Sequence, residues 1–231
     1  MSDDNEKKSD YWLDYAPGSK MRYSNIGFLV LGYLFEILSN QSLEEYCQEH
    51  IFSPLNMKNT SFHLDRLDVS HIATPYIHRF GCYIPLPYID FRGFAVMAGI
   101  RTTIEDLSHF LIAHINNGVY KEVRILEEET IHRMHTTKKV EDEHPQLNDT
   151  YRGYGLGWIS LEKFGRRIEG HGGFCPGAGC QMFMNETDRI GYIIFSNQLD
   201  ILGFFEPVKF KLKTKTLYLI GSLLLEKAEM F

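Results

Sequence analysis

Cysteine is scarce and unpatterned in this sequence. The 231-residue chain holds four, at Cys47, Cys82, Cys175 and Cys180. None stands in a Cys-x-x-Cys spacing, so neither a disulfide framework nor a thiolate zinc site is expected. Long apolar runs are also lacking. The longest, Leu217 to Leu225, is interrupted by Gly221 and Ser222, and it falls well short of the roughly 20 residues that cross a bilayer. No membrane span is therefore expected. The start, Met1 to Asp10, is polar and mixed in charge, without the apolar centre of a secretory signal. With so few thiols, this points to a reducing, cytoplasmic compartment. Positive charge is not in excess either: 24 Lys and Arg against 30 Asp and Glu leave a net charge of −6. Such a chain has no general field for nucleic acid or anionic lipid. His132 and His135 lie three apart but lack a third ligand at a definite spacing, so they read as surface and half-buried helix residues and no metal is expected.

What remains is the composition of a globular protein, 44% hydrophobic and 23% charged, with enough material for a substantial core. Residues 1–15 read as a loosely held lead-in to a domain over 16–231, mainly helical and irregular in 16–150 and β-rich with a terminal helix in 151–231. Ala16-Pro-Gly-Ser19 is a turn. Ile26, Leu29, Val30, Tyr33, Leu34 and Ile37 recur at three- and four-residue steps, which predicts a helix from Asn25 to a stop at Asn40. Ser42 and Glu45 form a capping box for a second helix over 43–50, broken by Pro54 and Asn56. Residues 60–100 hold several prolines and glycines and no clean period, the pattern of an irregular rim. A helix resumes at Thr103 and ends at Asn117-Gly118, and a short one covers about 127–135. Thereafter Tyr154–Leu161, Arg167–Glu169, Cys180–Met184 and Gly191–Ser196 are short β-rich runs. Helices followed by an antiparallel meander predict an α+β fold. In the tail, Lys209, Lys211, Lys213 and Lys215 alternate like a solvated edge strand, whereas Leu217, Ile220 and Leu224 read as a helix packed on the sheet.

Three ordered stretches carry chemistry. The first is Tyr23-Ser24-Asn25 entering the helix that contains Gly32, continuing through Ile51-Phe-Ser-Pro-Leu-Asn-Met57. The second is Ala98-Gly-Ile-Arg-Thr-Thr103 with Asp106-Leu107. The third is Tyr154-Gly-Leu-Gly-Trp158 with Gly170-His-Gly-Gly-Phe-Cys-Pro-Gly177, closing at Phe195-Ser-Asn197. Together they run from about residue 16 to 200, and they resemble the serine β-lactamase and penicillin-binding-protein superfamily in its class C β-lactamase and esterase branch. The resemblance implies a β-lactamase/transpeptidase-like fold and acyl transfer on an ester, amide or β-lactam, with a small-molecule or peptide substrate and no cofactor. By the same resemblance Tyr23, Asn25 and His171 are the catalytic candidates, His171 standing in a His-x-Gly form of the Lys-Thr-Gly motif. Gly172, Gly173 and Phe174 are the substrate-side candidates, with the Phe174 N–H as an oxyanion donor. A phenol of ordinary pKa is a poor base, so Tyr23 needs a neighbouring cation.

The superfamily's Ser-x-x-Lys nucleophile motif has no counterpart before Tyr23. Ser19 is followed three residues on by Arg22, which cannot act as a neutral proton acceptor. The one literal match, Ser160-Leu-Glu-Lys163, lies in a β-patterned run whose odd spacing sends the two side chains to opposite faces. Ser24 is the middle residue of its motif. Without a nucleophile helix and the first strands, sheet face and helix flanks are expected to be exposed, to be covered by a second copy or a complementing chain. The chain is then part of a serine hydrolase, inactive alone, or a silent pseudoenzyme that binds or scaffolds. A third reading pairs Cys175 with His171 as a cysteine hydrolase.

Overall fold

The computed structural model describes residues 14–137, 141–142, 151–163, 165–198 and 221. A turn closed by the Ser19 N–H on the Ala16 carbonyl leads into β1 (Lys20–Met21). Helix α1 (Asn25–Ser39) follows, started by the Ser24 hydroxyl, which accepts from the Gly27 N–H at 3.0 Å, and stopped by Asn40 in the left-handed region. Ser24 is thus the helix cap, and Asn25 is the first helical residue. The capping box of α2 (Leu43–Cys47) is present, and the helix runs on as a π-helical turn over Gln48–Phe52.

The stretch over 60–100 is more ordered than its composition implies. After two 3-10 turns it forms a hairpin, β2 (Tyr76–Arg79) with β3 (Cys82–Pro85), before the short helix α3 (Ala95–Ala98). Its turn places Phe80 and Gly81 at φ of 51° and 78°. A phenylalanine is rarely found where such turns favour Asn or Gly, so the hairpin carried no recognisable turn dipeptide. Helix α4 (Ile104–Ile115) is capped by Thr103, which accepts from the Asp106 N–H. The ribbon of β4 (Val119–Tyr120) and β5 (Val123–Arg124) then leads to α5 (Glu128–His135).

Beyond β6 (Glu141–Asp142), which pairs with β1, comes the main sheet: β7 (Tyr151–Tyr154), β8 (Ile159–Lys163), β9 (Arg166–Cys175), β10 (Ala178–Asn185) and β11 (Ile190–Ser196). Its order is sequential and every pairing antiparallel, so the expected meander and α+β class are observed. Two boundaries differ. The run 154–161 is the turn and second strand of a hairpin, closed by the Gly155 N–H on the Trp158 carbonyl. The run 167–169 belongs to a ten-residue strand, β9, that carries Gly170 to Cys175 within the sheet. Glycine disfavours an isolated strand, but here ladders on both sides override that preference. The reading of the tail from residue 204 lies outside the described residues apart from Gly221, which sits against the Tyr192 ring.

One sheet face holds the buried cluster of Ile159, Leu161, Ile168, Phe183 and Tyr192; the other packs Met184 and Trp158 against Leu111 of α4. Two buried carboxylates tie the helical part together. Glu44 accepts from the Ser61 hydroxyl and the Phe62 N–H, both at 2.8 Å, and Asp106 accepts from the Asn59 N–H and the Thr60 hydroxyl. Helix α1 contrasts with this order. Only Gly32 is buried on it, packed on Val96, while Ile26, Leu31, Tyr33 and Leu38 are exposed, Leu38 to 85%. The helix flanks are therefore exposed, as expected, whereas the sheet retains a buried face.

Candidate active site

Strand β9 and the N-terminus of α1 meet at a cavity of about 1020 Å³. Tyr23, Asn25, His171, Gly172, Gly173 and Phe174 all line it. The Tyr23 and His171 rings lie 5.7 Å apart between centroids and tilted by 41°, although 148 positions separate them in the sequence. The cap at Ser24 aims the chain so that Tyr23 precedes the helix and Asn25 begins it. At Gly173 a Cβ would stand 2.9 Å from the Cys180 sulfur, so the strand admits no side chain there without displacing its neighbour.

The surroundings of Tyr23 disfavour its phenolate. Tyr23 is 36% exposed, and partial burial raises its pKa. A desolvated phenol holds its proton more tightly than a free one. Among the described lining residues there is no lysine, and the one serine is Ser196, whose hydroxyl donates to the Gln198 carbonyl and accepts from the Gln198 N–H. Ser160 is fully buried in β8, bonded by the Arg167 guanidinium, so its pairing with Lys163 is not a site. Cys175 and His171 are four positions apart on an extended strand, about 13 Å at the usual rise. Burial also raises the Cys175 pKa, so no activated thiolate–imidazole pair is present.

Two groups escaped sequence reasoning. Arg101 lines the cavity, in a motif that was recognised without a role being given to its arginine. His135, expected to be half-buried, is fully buried: its Nδ1–H donates to Glu169 at 2.8 Å, and its Nε2 meets His114 Nδ1 at 3.1 Å. Arg167 completes the cluster by pairing with Glu169, and Trp158 packs on both imidazoles. Because a carboxylate only accepts, the proton on His135 Nδ1 follows from the geometry. No sequence period links residues 114, 135 and 169.

The Beta-lactamase family profile matches residues 5–207. A relative from Escherichia coli K12, named "Putative D-alanyl-D-alanine carboxypeptidase", is 29% identical over 63% of this chain and 36% of its own length. A protein of the same name from Salmonella newport is 25% identical over 72% of this chain and 39% of its own. This chain thus spans well under half the length of these relatives. Among solved structures, the octameric penicillin-binding protein homologue of Pyrococcus abyssi superposes with a TM-score of 0.68 at 26% identity, covering 81% of this chain and 41% of that one. The D-amino acid amidase of Ochrobactrum anthropi gives 0.69 at 21% identity over 92% of this chain and 62% of that one, a likeness of fold alone. With motifs, cavity and profile in agreement over the same residues, the chain belongs to the β-lactamase family of serine hydrolases and carries its β-lactamase/transpeptidase-like α+β fold.

Proposed function

We propose that this chain carries the proton-handling and oxyanion side of a serine hydrolase that transfers acyl groups from ester, amide or β-lactam carbonyls, and that it turns over no substrate alone. The observation that carries this reading is the approach of Tyr23 to His171 in one cavity, 5.7 Å between rings. His171 would hydrogen-bond in the place of the third motif's lysine, Asn25 would hold the substrate amide, and the Phe174 N–H would face the oxyanion. The missing parts are a nucleophile and a cation that makes the Tyr23 phenolate accessible. Both would come from polypeptide other than the described residues, and the exposed apolar flank of α1 supports a second copy or a complementing segment lying there. The competing reading is a silent binding protein, favoured by a lining whose described serine is engaged with its own backbone.

The test is to treat the purified chain with a fluorophosphonate and a penicillin and weigh it intact, then repeat with any in-frame upstream Ser-x-x-Lys segment attached. No adduct on the chain alone is expected, whereas the extended protein acylates, and Tyr23→Phe slows that step about a hundredfold. An adduct on the chain alone would contradict the proposed dependence on other polypeptide. An unlabelled extended protein would leave the silent reading standing.

A further inference from the structure

Helix α1 presents one apolar face that nothing among the described residues covers. Ile26, Val30, Leu31, Tyr33, Leu34, Ile37 and Leu38 are each between 47 and 85% exposed. At 3.6 residues per turn they fall on one side of the helix, opposite Gly32, where the helix packs on Val96. The helix has a single charged residue, Glu36, whose carboxylate accepts from the Leu43 N–H at 2.9 Å and lies off this face. The exposed face therefore carries no charge and, apart from the Tyr33 hydroxyl, no polar side chain. Monomeric surfaces rarely hold an apolar patch above about a few hundred Å². Seven large side chains, each about half exposed or more, present on the order of 800 Å², the share that one partner contributes to a stable interface.

We propose that α1 is the two-fold interface of a homodimer, its apolar face packed on the α1 of a second copy. Ile26, Val30, Tyr33 and Ile37 follow one another at steps of four, three and four, the heptad spacing with which one helix packs knobs into the holes of another. In an antiparallel pair centred midway along this stripe, Ile26 faces the partner's Ile37 and Val30 faces the partner's Tyr33. A small residue then meets a large one at the centre, whereas a parallel pair would stack one Tyr33 on the other. The antiparallel arrangement also sets opposed helix dipoles side by side. Leu31, Leu34 and Leu38 widen the contact along one flank. The occupant is a second copy because the face complements itself: it sets no like charges across the two-fold axis, although the whole chain carries −6. The pairing goes beyond acyl transfer and needs no turnover.

The experiment is sedimentation of the full chain over a range of concentrations. A monomer–dimer equilibrium with a Kd of about 1 µM or tighter is expected. Val30→Glu, which sets a charge beside the partner's Tyr33, should weaken it about a hundredfold. Because Val30 is exposed on the single chain, the variant should keep the circular dichroism of the parent. Register is read by oxidative cross-linking in a Cys82→Ser background, which removes the exposed thiol. Ile26→Cys together with Ile37→Cys should link two copies, and Ile26→Cys alone should not. A chain that stays monomeric, that forms open-ended aggregates, or that partitions onto phosphatidylcholine vesicles in place of pairing would overturn the proposal. So would a dimer indifferent to Val30→Glu, or one cross-linked through Ile26→Cys alone. The hydrolase reading stands or falls separately, by acylation of the extended protein.

Discussion

Lowering the pH from 7 to 4 is expected to cost the folded chain about 3 kcal/mol through His114 alone. This imidazole is 1% exposed, pressed between Phe110 and Trp158, with His135 at 3.1 Å. Burial first, and the charge of His135 second, depress its pKa from 6.5 to about 3. The unfolded chain takes up the proton below pH 6.5, while the folded chain refuses it until about pH 3. Throughout that window the unfolded state binds more protons, so stability falls as the pH falls and levels off below the folded value. His114→Gln, which keeps a donor and an acceptor, removes this slope. Denaturant unfolding at the two pH values, followed by the fluorescence of Trp158, should show the variant gaining about 3 kcal/mol on the parent at the lower pH. Parallel losses in both proteins would mean that His114 is already charged in the fold or is accessible to water.

Gly170→Ala is expected to cost about 3 kcal/mol or more, the upper range for overpacking. Exchange of glycine for alanine in a strand ordinarily stabilises, because it narrows the unfolded ensemble. The sign reverses here. A Cβ at this position would stand 2.0 Å from the Met182 carbonyl oxygen and 2.6 Å from the Phe183 ring. Neither can yield easily, since β10 is paired on both sides and Phe183 is fully buried. Relief would require β9 to shift, and His171 with it. Unfolding measurements on the variant, with the His171 resonance as a local reporter, would show both effects. A variant as stable as the parent would mean that the β9–β10 ladder is far looser than its register implies.

Local features were legible in the sequence where they depend on neighbours. The cap at Ser42, the stop at Asn40 and the period of α1 are written within a few residues of where they act. The convergence of Tyr23, Asn25 and His171 was legible only through the resemblance of three motifs, because no local rule joins residues so distant in sequence. The apolar period of α1 predicted a helix correctly but not its exposure, since periodicity identifies an apolar stripe and not what covers it. The β-rich run predicted over 167–169 stops short of the glycine-rich stretch 170–173, which belongs to the same strand. Cross-strand pairing determines its structure, and that pairing is invisible in the segment itself. The buried His114–His135–Glu169 cluster was missed for the same reason: α4, α5 and β9 each supply one member, and only packing unites them.

The contact between two rings is the claim on which the site depends, and proton NMR reads it directly. With rings 5.7 Å apart between centroids, edge protons of Tyr23 and the Cε1 proton of His171 should give a nuclear Overhauser cross-peak. That peak should vanish when Tyr23 is replaced by alanine. Assigned resonances for both rings with no cross-peak, and a His171 signal indifferent to Tyr23→Ala, would contradict a shared cavity and with it the reading of this chain as part of an acyl-transfer site.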